Sequence, residues 1–294
     1  MRSLLFVPGD SERKLEKGLS SGADVLIIDL EDSVAAAAKQ AARDVAAAFL
    51  RSDAAKAAAT LFVRVNDFST GLTDDDLAAV MPSKPAGIML PKCSSGDDVM
   101  LLSTKLRVHE AQNGIEDGAT RILPIITETA AGVLASGTYQ ATTPRLAGLT
   151  WGAEDLSAAV GARASRDEAG RYTELFRYAR TITLLAASSA GVPAVDTVYP
   201  DFRNEAGFRA DCIEAERDGF TAKMAIHPAQ VPVINEVFTP SPEAVADAEK
   251  VVAAFQAAGD PGVLAIDGKM YDRPHLRLAE RVLARAGKPE LLPR

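Results

Sequence analysis

Residues 25–50, VLIIDLEDSVAAAAKQAARDVAAAFL, hold the reading that decides the fold. Val25 to Leu30 is an almost unbroken apolar run, without the alternation of a strand that shows one face to water. A polar step, Glu31-Asp32-Ser33, follows, and then an Ala-rich helical stretch to about Leu50. The same unit recurs on both sides. Upstream, Leu4 to Val7 stops at Pro8-Gly9 before a helix from about Ser11, where Ser or Asp can cap. Downstream, Leu61–Val65 precedes a helix opened by Asp74-Asp75-Asp76, the end that favours negative charge. Gly87–Leu90 precedes a helix over Asp97 to about Gln112. Ile122–Ile126, Leu146–Trp151, Ala194–Val198 and Ala222–Ile226 complete the set, with a long helical pattern over Leu175–Ala190. Eight buried strands alternating with helices predict an α/β chain closed as a (β/α)8 TIM barrel, in preference to an open doubly wound sheet. The barrel domain is expected over residues 1–238. Residues 239–294 read as a C-terminal helical extension: Pro240-Ser241-Pro242 breaks the chain, a helix covers Glu243–Ala257, Gly259–Gly262 breaks it again, and a strand-like piece plus a helix follows. That tail is too short for a domain of its own, which suits a lid or an arm.

Composition narrows the function. Lys plus Arg number 32 against 40 Asp plus Glu, a formal charge of −8, which disfavours a phosphate backbone and so nucleic acid. Cys93 and Cys212 show no paired spacing, and His109, His227 and His275 are the only histidines. A disulfide framework and a thiolate or His-rich zinc site are therefore not expected, and the cysteines suit a reducing cytosol. No apolar stretch approaches the roughly 20 residues of a membrane span. The N-terminus meets Pro8-Gly9 too soon for a signal peptide, so a cytoplasmic location is expected.

In such a barrel, chemistry sits at the C-terminal ends of the strands. Those ends are polar here: Asp29, Glu31 and Asp32 after strand two; Arg64, Asn66 and Asp67 at strand three; Lys92 after strand four; Thr127-Glu128-Thr129 after five; Glu154-Asp155 after six; His227 after eight. Converging carboxylates repel unless a cation sits among them, and hard oxygen donors without a His cluster select Mg²⁺ or Mn²⁺. Glu128 and Asp155 are the natural pair. Other readings stand beside these: Asp29 and Asp32 as helix caps, Arg64 as an ordinary ion-pair partner, Lys92 or Lys223 as a Schiff-base lysine, and His227 as cap or base. Gly18-Leu19-Ser20-Ser21-Gly22 matches a nucleophile-elbow pattern by letters only, because it ends a helix.

With those residues in view, the chain resembles the citrate lyase beta-subunit-like family, which includes malyl-CoA and citramalyl-CoA lyases. The segments that carry the resemblance are LLFVPGDSERKLEK (4–17), ADVLIIDLEDSV (23–34), FVRVN (62–66), IMLPK (88–92), PIITETAAGV (124–133), LTWGAEDLSA (149–158), KMAIHPAQV (223–231) and DGKMYDRP (267–274). The resemblance implies a (β/α)8 barrel and Mg²⁺ dependence, with Mn²⁺ as the alternative. It implies cleavage or formation of a carbon–carbon bond beside a CoA or acyl-carrier thioester, with acetyl-CoA and a small 2-oxo acid as products. It also implies a homo-oligomer, trimer or hexamer, whose C-terminal segment covers a neighbouring subunit's site. By position, Glu128 and Asp155 match the metal ligands, Glu128 facing the substrate as well. Arg64 matches the substrate-binding arginine that also acts in catalysis, and Asp272 the catalytic carboxylate of a G-x-M-x-D motif. Phe6 and Lys17 fall where relatives contact the CoA-bearing substrate. Ser11 departs from the pattern, since malyl-CoA lyases often carry Arg there, and Arg13 is nearby. The alternatives are a citrate lyase beta subunit acting on a citryl carrier-protein thioester, a malyl-CoA thioesterase, and a non-catalytic assembly subunit. Pyruvate and glyoxylate differ by one methyl, worth only about 1–3 kcal/mol of discrimination.

Overall fold

The computed structural model describes residues 1–140 and 142–288. Its first unit, Met1–Asn235, runs β1 (Ser3–Pro8), α1 (Glu12–Leu19), β2 (Val25–Asp29), α2 (Lys39–Arg51), α3 (Asp53–Ala58), β3 (Thr60–Arg64), α4 (Thr73–Val80), β4 (Gly87–Leu90), α5 (Gly96–Gln112), β5 (Arg121–Pro124), α6 (Ala130–Leu134), β6 (Leu149–Thr150), α7 (Ala153–Val160), α8 (Glu174–Ala190), β7 (Ala194–Asp196), α9 (Glu205–Asp218) and β8 (Ala222–Ala225), and enters α10 (Val231–Val237). The strands lie in the order β5-β4-β3-β2-β1-β8-β7-β6, every neighbour parallel. The ring closes between β5 and β6 through single bridges, Ile122 to Leu146 and Ile125 to Thr150. Backbone bonds at 2.8 Å (Ile122 N–H to Arg145 C=O) and 2.9 Å (Ile126 N–H to Thr150 C=O) join this seam. It is thin because Pro124 has no N–H to give and β6 is two residues long. The architecture is a (β/α)8 barrel.

Side chains of period two fill the barrel: Leu4, Val25 and Ile27, Phe62, Met89, Leu123 and Ile125, Val195, and Met224 form one buried cluster. Phe62, 3% exposed, has room because a Cβ at Gly87 would stand 2.5 Å from its ring. Such a side chain contributes about 1.5–3 kcal/mol by its burial. The same period carries charge to the mouth. Asp29 stands two residues beyond Ile27, Arg64 two beyond Phe62, and the register pairs Asp29 with Arg64.

The helix after β2 begins only at Lys39, later than the Ala-rich run suggests. The intervening loop is tied down by the Lys39 ammonium, which donates to the Leu30 and Glu31 carbonyls at 2.8 and 2.7 Å. The run ends at Arg51, as expected, and Ser52 then caps a separate short helix, α3, through the Ala55 N–H. Among the described residues, no helix is long and apolar enough to cross a membrane.

The second unit begins at Glu236. Its α11 (Pro242–Ala257) packs on α12 (Arg273–Arg285) through Val251, Val252, Phe255, Leu276, Ala279 and Leu283. The single strand-like piece expected here is instead an antiparallel hairpin, β9 (Val263–Ile266) and β10 (Lys269–Asp272). Its two-residue turn, Asp267-Gly268, has φ of 49° and 75°, the left-handed pair a tight hairpin requires. The last six residues of the expected helical tail, 289–294, lie outside the described residues.

Candidate active site

Asp29 anchors the mouth. It accepts Nε and Nη2 of Arg64 at 2.7 and 2.8 Å, and the backbone N–H groups of Glu31 and Ser33 at 2.9 and 3.1 Å. The helix cap expected of Asp29 does not form: its backbone donors lie in the loop, and the following helix is entered at Ala38 without a side-chain cap, so the carboxylate serves as the partner of Arg64 and a tie for that loop. Burial works against its charge, but the Arg64 hydrogen bonds and charge outweigh it and hold the carboxyl below its ordinary value. Arg64 Nη1 lies 2.8 Å from Glu31 Oε2 and 3.5 Å from Asp32, and the guanidinium stands 4.8 Å over the Phe6 ring. Burial lowers the Arg64 pKa and the Asp29 bonds more than restore it, so the guanidinium stays charged. Glu31 is 4% exposed, and burial pushes its carboxyl up to about 7 against the pull of Arg64 and Lys92.

Lys92 joins this cluster to the other side of the mouth. Its backbone has φ of 49°, rare for a residue with a side chain. That turn aims its N–H at Glu128 Oε2 while the ammonium reaches Glu31. The same ammonium lies 3.5 Å from Asp155 and 3.7 Å from Asp32. Burial lowers the Lys92 pKa, but Glu31 outweighs it and the net shift is upward. Lys223, fully buried, is likewise held charged, by Asp196 and Asp211. Neither lysine has the unpaired apolar setting that Schiff-base chemistry needs.

Glu128 sits four residues past β5, 3% exposed, and Asp155 lies in the first turn of α7, so both stand beyond the strand ends proper. Burial, then the Asp155 charge, push the Glu128 carboxyl well above its ordinary value. Gly152 lets the two elements approach: a Cβ there would lie 2.7 Å from Glu128 Cγ. A buried carboxylate whose ionisation is opposed by a second carboxylate is the setting that a divalent cation relieves. Among the described residues, no three His, Cys, Asp or Glu side chains are grouped to hold a metal. Two carboxylates with remaining positions for water or substrate oxygens suit Mg²⁺, which is often held by one or two.

Of these groups Asp29, Arg64, Glu128 and Asp155 line one cavity of about 410 Å³, together with Phe6 and Trp151. Lys17 lies in a second cleft of about 280 Å³, reached past Phe6 and Pro8 and walled by Lys14 and His227. His227 acts as a cap, its Nδ1 accepting the Ala229 N–H at 3.2 Å while its ring stacks on Phe202 at 4.5 Å. Asp272 belongs to the second unit, where it ends β10 and lies 2.5 Å from His275 Nδ1. Sequence reasoning did not foresee Trp151 in the mouth or the close approach at Gly152. The Gly-Ala-Glu-Asp order after a strand was the only available signal.

The family model described as HpcH/HpaI aldolase/citrate lyase matches residues 2–228. A (3S)-malyl-CoA thioesterase of Cereibacter sphaeroides is 37% identical over 97% of this chain and 94% of its own length. The human mitochondrial citramalyl-CoA lyase is 34% identical over 97% of this chain and 85% of its own. The solved structure of CitE from Mycobacterium tuberculosis in complex with magnesium, acetoacetate and coenzyme A is 34% identical and aligns with a TM-score of 0.78, covering 97% of this chain and 98% of CitE.

Proposed function

The chain belongs to the HpcH/HpaI aldolase/citrate lyase family, and on that premise we propose that it is a Mg²⁺-dependent carbon–carbon lyase of 3-hydroxyacyl thioesters, citramalyl-CoA or malyl-CoA, giving acetyl-CoA and pyruvate or glyoxylate. One observation carries the reading: Glu128 and Asp155 share a cavity with an Arg64 already clamped by Asp29. A divalent cation held by Glu128 and Asp155 would supply Lewis-acid polarisation of the substrate's carboxylate and hydroxyl oxygens.

The remaining work falls to the chain itself. Asp29 takes two of the five guanidinium N–H groups of Arg64 and fixes its plane. The remaining N–H groups, on the edge where Nη1 also faces Glu31 at 2.8 Å, donate to the substrate's hydroxyl oxygen, which carries negative charge after its proton leaves and until the carbon–carbon bond breaks. Lys92 balances Glu31 and Asp32, so the mouth stays open to an acidic substrate. Phe6 and the lysines of the neighbouring cleft, Lys14 and Lys17, receive the thioester arm. In cleavage the hydroxyl gives up its proton to solvent, the carbon–carbon bond breaks to leave the thioester enolate, and Asp272 gives a proton to that carbon; in condensation each transfer runs in reverse. Asp272 serves the mouth of a second copy in a homo-oligomer, the C-terminal unit acting as the arm.

Hydrolysis of malyl-CoA is the second reading, favoured by the thioesterase relative. The test offers citramalyl-CoA, malyl-CoA and a citryl carrier-protein thioester with and without Mg²⁺, and follows acetyl-thioester and free CoA separately. Metal-dependent acetyl-CoA with the 2-oxo acid is the expected result. Malate with free CoA supports the second reading, and no metal-dependent turnover of any substrate refutes both.

A further inference from the structure

A second buried cluster of charge lies behind the barrel wall and reaches the mouth through Trp151. Val195 and Met224 belong to the interior cluster, so their neighbours Asp196 and Lys223 face outward, toward Asp211 of α9. The contacts close on themselves. The Trp151 indole N–H donates to Asp196 at 2.8 Å; the Lys223 ammonium donates to Asp196 at 2.5 Å and to Asp211 at 2.8 Å. Arg166 donates to Asp211 at 2.7 Å and stacks 3.6 Å over the Tyr172 ring. Tyr172 returns edge-on to Trp151, with ring centroids 5.0 Å apart.

Two features separate this ring from a plain stabilising cluster. Replacing a buried ion pair by apolar groups of like volume is often neutral or stabilising, so such a cluster is weak evidence for stability and suits a role in fixing geometry. Its placement supplies that role. Trp151 lies two residues before α7, and Arg166 and Tyr172 lie on the segment that leaves it, so the ring grips the chain at both ends of the helix that carries Asp155. Trp151 also lines the mouth, and the next residue, Gly152, packs against Glu128.

We propose that Arg166, Tyr172, Asp196, Asp211 and Lys223 are positioning residues that hold Trp151 and α7 so that Asp155 stays opposite Glu128; this rests on reading those two carboxylates as the metal-holding pair. The test uses the full chain with Asp211→Asn, which keeps shape and removes one charge, and Arg166→Lys, whose parent side chain is 21% exposed and which tolerates change should the first variant fail to fold. Mg²⁺ affinity is measured by calorimetry. Emission and acrylamide quenching of Trp151, the only tryptophan, are read well below the melting transition. The expected result is Mg²⁺ binding weakened about 10-fold or more, with altered Trp151 quenching and a loss in kcat that exceeds any change in KM. Folded variants with wild-type Mg²⁺ affinity and wild-type Trp151 quenching overturn the proposal, whatever their melting temperature. A Glu128→Gln chain that binds Mg²⁺ as tightly as wild type refutes the metal reading instead. In that case Trp151 quenching alone decides the ring: altered in both variants supports it, unchanged overturns it.

Discussion

Replacing Gly152 by Ala adds one methyl at the narrowest point of the mouth. The backbone there, φ −125° and ψ 118°, is open to any residue, so the effect comes from space alone. The new Cβ would stand 2.7 Å from Glu128 Cγ, 3.1 Å from Oε1 and 3.3 Å from Cδ, where ordinary contact begins at 3.4 Å. Moving Cγ from 2.7 to 3.4 Å requires a shift of 0.7 Å. Glu128 cannot make it freely. Its Oε2 accepts the Lys92 N–H, and Lys92 is itself held in a left-handed turn by its ammonium contacts. The overpacking is expected to cost about 1–3 kcal/mol of stability. A displacement near 1 Å in a reacting group can cost about 10²-fold in rate, so kcat should fall by about one to two orders of magnitude with a raised Mg²⁺ requirement. The assay is acetyl-CoA release against Mg²⁺ concentration beside a thermal melt, with Gly137→Ala, whose Cβ meets nothing within 4 Å, as the neutral control. A Gly152→Ala enzyme with wild-type kcat and Mg²⁺ requirement would show that Glu128 does not need its present place.

Glu128→Gln and Asp155→Asn are each expected to abolish turnover at limiting Mg²⁺; full activity in both would remove them as metal ligands. Arg64→Lys keeps the charge but loses the fork that matches Asp29, so kcat/KM should drop, and a wild-type value would exclude a role for the planar donors. Glu31 has a folded pKa near 7, above its ordinary 4.5, so the stability it contributes is fully present below about 4.5 and is lost as pH rises through 7, about 3 kcal/mol in all. Glu31→Gln removes that slope, and its melting temperature minus that of wild type, without divalent cation, should grow between pH 4.5 and 7; a constant difference contradicts the shift. Mixing Asp272→Asn with Glu128→Gln chains, once subunit exchange is demonstrated, should restore part of the activity lost in each, and dead mixtures would confine Asp272 to its own barrel or to none.

The strands were legible because burial on both faces writes itself into composition: Val25 to Ile28 has no polar residue to spare, and Gly87–Leu90 begins and ends where the letters say. The period that packs Ile27 and Phe62 inward also delivers Asp29 and Arg64 to the mouth, so the polar strand ends were visible as a set. Local chemistry was less fully read. Asp267-Gly268 is a strong hairpin signal, yet the flanking residues are short and half-exposed, and a single strand-like piece was the reading their pattern suggested.

What stayed hidden is what closure creates. Lys92 meets Glu31 across 61 residues, and neither letter tells that one would take a left-handed backbone to bridge two sides of a cavity. The need for glycine at 152 arises only once Glu128, 24 positions earlier in the chain, is folded against it. Lys223 is the clearest case. A lone lysine on an apolar strand reads as a Schiff-base candidate, because sequence shows the burial that lowers its pKa. The carboxylates that reverse the effect are absent from that local view: Asp196 lies 27 residues away on the neighbouring strand, and Asp211 on a helix between them in sequence. Burial is encoded locally, whereas pairing depends on topology. A charged residue inside an apolar run therefore states that a partner exists and leaves its identity, and with it the choice between reactive and positioning lysine, to the fold.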